Sequence, residues 1–570
     1  MLRMTDDPAE VNERVIEEWQ ADTSPGERVR TVMKRTYDAQ SVATIAERAL
    51  TSETTARKHL ESLTEDGFVE AVSPADKRGT WYKRAPRSVV LERAQQILDS
   101  VDVETLSARV TELRETVREF EDETGAESPY AAAIDDAGLD TALIEKGSLG
   151  GTCLNRGCNP SKMLIQAANA AQQVQDADRF FLDASLHDVD FSAIVSDMDE
   201  TLSGLAEGME ADYRATDDLT LYDDEAVFVD ERTVLVDDEH VSGEKLVVAA
   251  GSRPFIPPIE GLGTVEYLTS REALYLDEQP ESLVIIGGGY IAVELGYVFE
   301  TLGTDVTIIE SGETLLGRED PEVSEAFTEI ARKRHDVHTG YRATAVEPLG
   351  EGVRVFAEGG DGGDDVIECS GEDVLVAAGR RPNSDSLDVA SAGIETDNRG
   401  FIVTDERLQT SAENVWAQGD IAGNAMFKHS GDYETRVAID NVVHDAGREM
   451  DLSALPHAVF TEPQIAGVGA TEAELETAEY PYVVGRQALA DTPMGRAKKL
   501  EEGFVKVLAT PDGEILGCHM LGEEVSTMIH EVLVAMRSGS GHVSDITDTI
   551  HAHPTLNKAV EYAFRDALDA

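Results

Sequence analysis

Two cysteines stand five residues apart in Gly150-Gly151-Thr152-Cys153-Leu154-Asn155-Arg156-Gly157-Cys158-Asn159-Pro160-Ser161-Lys162, a glycine-rich turn that opens a helix. Two thiols near the first turn of a helix can close a strained, reducible ring, and the positive helix end favours the thiolate. Thiol–disulfide exchange needs both properties. The competing chemistries are half of a zinc site and a pair of unrelated buried thiols. Zinc would call for a second closely spaced pair, whereas Cys369 and Cys518 stand singly far downstream, so no metal site is expected.

A second candidate site lies in Leu283-Val284-Ile285-Ile286-Gly287-Gly288-Gly289-Tyr290-Ile291-Ala292-Val293-Glu294-Leu295-Gly296, where a buried strand runs into a glycine turn and then a helix. Gly287 and Gly289 let the backbone reach a pyrophosphate at the helix N-terminus. The next strand, Val306-Thr307-Ile308-Ile309, ends in Glu310. An acid there accepts hydrogen bonds from a ribose 2′-hydroxyl and repels a 2′-phosphate, so NADH is expected over NADPH.

The chain that positions these sites has 570 residues, enough for several domains with large cores. Its 48 Lys+Arg against 111 Asp+Glu leave a net charge of -63, spread along the chain. Such a surface resembles that of proteins from salt-accumulating cells, where screening suppresses self-repulsion over a few ångströms. The acidity describes the solvent and not a partner. With no run of about 18 apolar residues and no charged-then-apolar leader, neither a membrane span nor a secretory signal is expected. Four cysteines, two of them in the redox turn, fit a reducing cytoplasm.

The segment around Cys153 and Cys158 closely resembles the active-site segment of the class I pyridine nucleotide-disulfide oxidoreductases. These flavoproteins include dihydrolipoamide dehydrogenase, glutathione reductase, mercuric reductase and mycothione reductase. The resemblance runs from about Tyr130 to the C-terminus, with several motifs in the family's order. Ala249-Ala250-Gly251-Ser252-Arg253-Pro254 and Ala377-Ala378-Gly379-Arg380-Arg381-Pro382 resemble the strand-end turns where the chain crosses between FAD and NAD domains. Val415-Trp416-Ala417-Gln418-Gly419-Asp420 resembles the second FAD motif, which implies that Asp420 bonds the ribitol hydroxyls. Glu145, closing Thr141-Ala142-Leu143-Ile144, matches the ribose acid of the first FAD motif, and Gly151, Thr152, Gly251 and Gly379 fall at further cofactor positions. Lys162 and Glu294 map to an ion pair beside the flavin ring.

Towards the end, Ala458-Val459-Phe460-Thr461-Glu462-Pro463 resembles the start of the family's dimerisation domain. His551-Ala552-His553-Pro554-Thr555-Leu556-Asn557-Lys558 resembles the segment with the acid/base histidine, which maps to His553. In the family that histidine reaches the partner subunit's disulfide and exchanges a proton with the thiol nearer the substrate, here Cys153, while Cys158 faces the flavin. The family usually has a glutamate where this chain has Lys558. A cation there lowers a histidine's pKa where an acid raises it. Asn159, where many relatives carry isoleucine, is a milder departure.

The implied fold class is α/β, with two Rossmann-like FAD and NAD(P) domains and an α+β dimerisation domain behind an all-α/winged-helix domain with a long helix. The expected division is 1–86 winged helix-turn-helix, 87–125 amphipathic helix or linker, 126–260 first FAD part, 261–380 NAD(P) domain, 381–452 second FAD part and 453–570 dimerisation domain. The implied function is a homodimeric, FAD-dependent NAD(P)H disulfide oxidoreductase acting on a small dithiol or disulfide. Dihydrolipoyl groups and low-molecular-weight disulfides such as bis-γ-glutamylcystine are candidates. Mercury reduction is not expected, because no vicinal cysteine pair stands near the C-terminus.

The first part is read differently. Residues 41–49 form a short helix, 50–51 a turn, and Ser52 caps a second helix through about Glu65. Phe68-Val69-Glu70-Ala71-Val72 and Trp81-Tyr82-Lys83 then make a wing hairpin. Together these resemble winged helix-turn-helix regulators, with Ser52, Thr54, Thr55, Arg57 and Lys58 on the second helix and Lys77 and Arg78 on the wing as candidate DNA contacts. Between Arg28 and Arg93 stand 13 basic and 9 acidic residues, a basic island in an acidic chain. Such a domain can equally serve protein interaction. Leu106, Val110, Leu113, Val117 and Phe120 beyond it form a short heptad seam, suited to dimerisation or to lying on the helix's own domain.

One motif is missing. Glu310 follows Gly287 by 23 residues, so the glycine matching Glu145 falls near residue 122. There the chain reads Arg118-Glu119-Phe120-Glu121-Asp122-Glu123-Thr124-Gly125-Ala126-Glu127-Ser128-Pro129, acidic, with a single glycine and no apolar strand before it. Tyr130-Ala131-Ala132-Ala133-Ile134 resembles the remainder of the helix after the lost loop. Two alternatives to a working enzyme follow: a redox-responsive DNA-binding regulator, and a fusion whose reductase part is flavin-deficient and inactive.

Overall fold

The chain folds as two units, residues 1–126 and 127–570. The computed structural model describes residues 139–569 apart from 217 and 361–364, and in the first part segments 40–41, 56–58, 60, 69–72 and 81–84. Ser52, Thr54, Thr55, Lys77, Arg78, the helix expected over 87–125, the acidic stretch near residue 122 and residues 130–134 lie outside the described residues.

In the first unit, β1 (Gln40–Ser41), β2 (Val69–Val72) and β3 (Trp81–Arg84) form an antiparallel sheet in the order β1-β3-β2. The β2–β3 pairing is the expected hairpin, with Val72 opposite Trp81. Ser41, expected to open a helix, instead ends β1 opposite Trp81. A residue that precedes a helix already has extended backbone, so the two roles are close. Residues 56–58 and 60 are helical, with Ala56 and Leu60 buried and Arg57 and Lys58 exposed.

The second unit starts with β4 (Thr141–Ile144), α1 (Gly151–Arg156), α2 (Cys158–Gln175), α3 (Phe191–Ala215) and β5 (Leu219–Tyr222). Asp190 caps α3 by accepting from the Ala193 N–H at 3.0 Å. Phe191, Val195, Met198, Leu202 and Ala206 recur at helical spacing and are buried. The strand β5 runs parallel to β4. A meander of β6 (Ala226–Asp230), β7 (Thr233–Val236) and β8 (Glu239–Ser242) follows, then β9 (Leu246–Val248) and β10 (Ser252–Pro254).

Next come β11 (Ser282–Ile286), α4 (Tyr290–Leu302), β12 (Asp305–Glu310), α5 (Pro321–Ala331), β13 (Asp336–Thr339), the meander β14 (Tyr341–Leu349), β15 (Gly352–Gly359) and β16 (Val366–Gly371), and β17 (Asp373–Val376). Four of these strands make a parallel sheet in the order β13-β12-β11-β17. The meander covers one face through Val346, Val353 and Val355 against Val284, Ile286 and Val376. On the other face α2, α3 and α4 share a core, with Leu164, Ile165, Met198, Phe299 and Ile285 buried in it.

The chain returns through β18 (Arg380–Pro382), antiparallel to β10, and β19 (Val415–Ala417), parallel to β9. After α6 (Lys428–Val442) come β20 (His457–Val459), β21 (Gln464–Gly469), β22 (Val483–Ala488), β23 (Phe504–Ala509) and β24 (Ile515–Gly522), in the sheet order β20-β21-β24-β23-β22. Helices α7 (Val525–Ser538) and α8 (Lys558–Asp569) bury Ile529, Val532, Val560 and Phe564 with Val505, Val507 and Met520.

Candidate active site

The redox turn is built from two helices. Gly150 and Gly151 take left-handed backbone, and a Cβ on Gly150 would strike Leu154 Cδ2 at 2.4 Å, so the chain can enter α1 there only as glycine. Cys153 lies within α1. Gly157 then breaks the helix, where a Cβ would meet Thr152 O at 2.9 Å, and Cys158 begins the 18-residue α2. The side-chain amide of Asn155 donates to Leu149 O at 2.8 Å and Gly151 O at 3.1 Å, and Tyr275 Oη–H donates to Asn155 O at 2.7 Å, locking α1 in place. Neither Asn155 nor Tyr275 announces this role in the sequence.

Both cysteines are free thiols, Cys158 exposed and Cys153 half-buried. The two thiols act on each other, and this splits their acidity. Cys153 lowers Cys158 to about 7, helped by Lys162 against burial and Glu294. The same interaction, then burial and the Cys158 charge, pushes Cys153 well above the usual thiol range, with Lys428 opposing. Cys158 is thus the more acidic of the two thiols. Cys153 Sγ is also 3.8 Å from Asn159 Oδ1.

Lys162, one turn into α2, donates to Glu294 Oε2 at 2.7 Å. Glu294 is 4% exposed on α4, and its other oxygen accepts the Phe460 N–H at 2.9 Å. The Lys162 ammonium also lies 4.7 Å from the centre of the Phe460 ring. Further along, Tyr297 Oη–H donates to Asn169 Oδ1 at 2.7 Å and Gln175 donates to Thr301 O at 3.0 Å. The partners advance together, so α2 and α4 run parallel with their N-termini at one end, which brings Cys158 and the Gly287–Gly289 turn towards each other.

At that turn Gly287 has φ 116°, and a Cβ would sit 2.5 Å from Ala377 O. Gly289 faces open space at the start of α4, with no atom within 4 Å of a Cβ position. Glu310 accepts from the Gly288 N–H at 2.5 Å and the Gly312 N–H at 2.6 Å, so the acid lies against the turn. A helix N-terminus, open backbone above it and an adjacent carboxylate fit a nicotinamide dinucleotide.

The other half of the cofactor set is less complete. Glu145 accepts from the Gly147 N–H at 2.9 Å, the same step of two residues that Glu310 makes to Gly312. Asp420 accepts from the Ser252 hydroxyl, which takes Arg380 Nε–H at 2.7 Å, and Arg380 Nε is 3.6 Å from Asp420 itself. Gly251 and Gly379 both have left-handed backbone facing open space, as does Gly151, and Thr152 is exposed. These groups suit the ribose, ribitol and ring ends of FAD. Among the described residues no strand joins β4 to β9, the place where a dinucleotide fold keeps the strand and glycine turn that hold a pyrophosphate.

His553 is exposed in the loop before α8. Lys558 does not stand alone: Lys558 Nζ donates to Glu561 Oε2 at 2.5 Å, and Arg565 approaches Glu561 Oε1 at 2.9 Å. The cation expected to face the histidine is therefore neutralised one turn along its own helix. In the first unit Arg57 and Lys58 are the only candidate nucleic-acid contacts among the described residues.

Comparison with known proteins agrees with this geometry. Residues 127–444, more than half the chain, match the family model Pyridine nucleotide-disulphide oxidoreductase, and residues 455–564 match that family's dimerisation domain. Residues 23–137 match a family of unknown function. Dihydrolipoyl dehydrogenase 2 of Haloarcula marismortui is 36% identical over 452 residues, covering 77% of this chain and 94% of that protein. Mycothione reductase of Mycobacterium tuberculosis is 33% identical over 434 residues, covering 74% and 93%. The HOCl-induced flavoprotein disulfide reductase RclA of Escherichia coli superposes with a TM-score of 0.68 at 28% identity, over 76% of this chain and 96% of its own. This chain belongs to the pyridine nucleotide-disulphide oxidoreductase family, the FAD-containing, NAD(P)H-dependent disulfide oxidoreductases.

Proposed function

We propose that this protein passes electron pairs between NADH and a small dithiol or disulfide through Cys153 and Cys158. The observation that carries the reading is the asymmetric thiol pair at the start of α2, beside the Lys162–Glu294 pair and at the same end as the dinucleotide turn of α4. Bound flavin would supply the two-electron relay between nicotinamide and sulfur. Cys158, exposed and acidic, is the sulfur that faces it, and Lys162 and Glu294 fix the charge beside the ring. Glu310 and the Gly287–Gly289 turn hold NADH, while Glu145, Asp420, Gly151, Thr152, Gly251 and Gly379 line the FAD site.

Cys153 is the substrate-side sulfur. Its raised thiol attacks a disulfide only once a base has taken its proton, and exposed His553 of the partner subunit suits that task. The balance is NADH, a proton and one disulfide giving NAD⁺ and two thiols. The match to the dimerisation domain supports a homodimer. A dihydrolipoyl group or a low-molecular-weight disulfide is the substrate class, supported by the likeness to dihydrolipoyl dehydrogenase and mycothione reductase. NADH oxidation with lipoamide or bis-γ-glutamylcystine, in high salt with added FAD, tests it. Cys153→Ser should lower turnover by at least about a thousandfold, and an undiminished rate would overturn the reading.

A second reading concerns the first unit. The sheet order β1-β3-β2 and the exposed Arg57 and Lys58 support a winged-helix module that binds DNA. DNA affinity falling steeply with salt would favour it, and equal affinity in both thiol states would remove the redox-responsive regulator.

A further inference from the structure

The loop carrying His553 is anchored by a different histidine. His551, whose side chain is 4% exposed, faces carboxylates with both ring nitrogens: Nε2 is 3.2 Å from Glu531 Oε2 on α7, and Nδ1 is 3.5 Å from Glu561 Oε2 on α8. Nδ1 also lies 3.1 Å from Thr549 O. Thr549 O is an acceptor, and so are Glu531 and Glu561 as carboxylates; burial pushes the Glu531 carboxyl up, and the Asn557 side chain and a charged His551 pull it back down. A neutral imidazole carries one N–H and one lone pair, so it would point a lone pair at a carboxylate or a carbonyl. The other charges around the ring are Lys558 and Arg565, both held by Glu561. By contrast, no hydrogen bond or ion pair holds the exposed ring of His553 among the described residues. Its position is set by the turn between His551 and Leu556, which is 2% exposed and packs in the dimerisation core, with Thr555 Oγ–H donating to Ala552 O at 3.0 Å.

We propose that His551 is the positioning residue of this loop, held as an imidazolium between Glu531 and Glu561 so that two helices fix the turn from which His553 projects. Glu561 has a double part. It lies 3.5 Å from His551 Nδ1 and neutralises Lys558, so the cation at position 558 is compensated one helical turn further on. A buried carboxylate shared by three cations is stable only while all are in place, which ties the geometry of the acid/base loop to the start of α8. The inference rests on the acid/base role proposed for His553. Its first readout is independent of that role.

Histidine-selective ¹⁵N spectra of the full chain at pH 7.5 test it. Both His551 ring nitrogens should appear protonated, and an unprotonated Nε2 overturns the proposal whether or not the protein turns over substrate. Glu531→Gln should remove the second proton, whereas Glu531→Asp should retain it. In NADH-driven disulfide reduction, Glu531→Gln should lower kcat about tenfold and displace the pH limb of kcat, with KM for NADH unchanged. Glu531→Asp should recover to within about threefold. An unchanged kcat and pH limb in a folded Glu531→Gln protein would also overturn it. Loss of turnover in the parent protein, with His551 still doubly protonated, would remove the functional reading and leave the anchor standing.

Discussion

Two dinucleotide-binding regions occur in one chain, and among the described residues they differ in one strand. In the NAD region β11 pairs with β12 on one edge and β17 on the other, and Leu283, Val284, Ile285 and Ile286 are all buried. The flavin region has the counterparts of the flanking strands: β4 with β5, and β9 with β19. Among the described residues no strand joins those two pairs. Burial follows. In β4 Ala142 is exposed and Leu143 half-buried, and in β9 only Val248 is buried. Parallel sheets are stable because both faces and both edges of their inner strands are covered, and each aliphatic residue left half-exposed forgoes about 1 kcal/mol.

The lesson concerns where phosphate binding comes from. Glu145 and Glu310 make the same bond to the N–H two residues on, so the acid end of the motif survives in both regions. Among the described residues only Glu310 also meets a glycine turn ahead of its own strand, through the Gly288 N–H. The central strand and its turn supply the donors that face a pyrophosphate, and the outer strands cannot replace them.

The largest test of this contrast is to supply what one region lacks. Grafting an apolar strand and glycine-rich turn ahead of residue 130 should tighten FAD binding by at least about a hundredfold, equivalent to a few strong hydrogen bonds, while NADH affinity stays unchanged. Flavin absorbance retained after gel filtration measures the first and fluorescence titration the second. No gain in flavin would show that the missing loop is not the defect.

The complementary change removes the intact turn. Gly287→Val places a side chain against Ala377 O at a left-handed φ, costing about 1–3 kcal/mol of backbone strain before any contact with ligand is counted. NADH affinity should fall at least about thirtyfold with flavin content unaltered, and an unchanged affinity would mean that NADH binds elsewhere.

The smallest effect is the acidity of the sulfur between the regions. Alkylation of Cys158 by iodoacetamide should rise with pH about a midpoint near 7 and fade below it, because the lowered thiol is thiolate above that value. Cys153→Ala removes the largest cause and should move the midpoint up by about one unit. A midpoint that ignores Cys153 would mean that Lys162 and the helix end control the thiolate.

Much of the site was legible before any fold was known. The spacing of Cys153 and Cys158, the Gly287–Glu310 interval and the run before Asp420 are local, and local backbone rules give them their form. The missing flavin loop is a reading of the sequence, from an interval of 23 residues inside one chain used as its own ruler, and the stretch near residue 122 lies outside the described residues. The hairpin of β2 and β3 followed from alternation and turn residues, but β1 did not, because a two-residue strand carries no period.

Tertiary structure alone decided the rest. That Cys158 is the more acidic thiol depends on Cys153 beside it and on Lys162, which is itself held by Glu294, 132 positions away. Lys558 looked like a charge reversal in sequence, and folding makes it one half of a pair with Glu561, beside a histidine clamped by two helices. Sequence fixes which groups can ionise. Which of them meet, and with what burial, depends on helix packing over long separations, and the electrostatics of this site are set there.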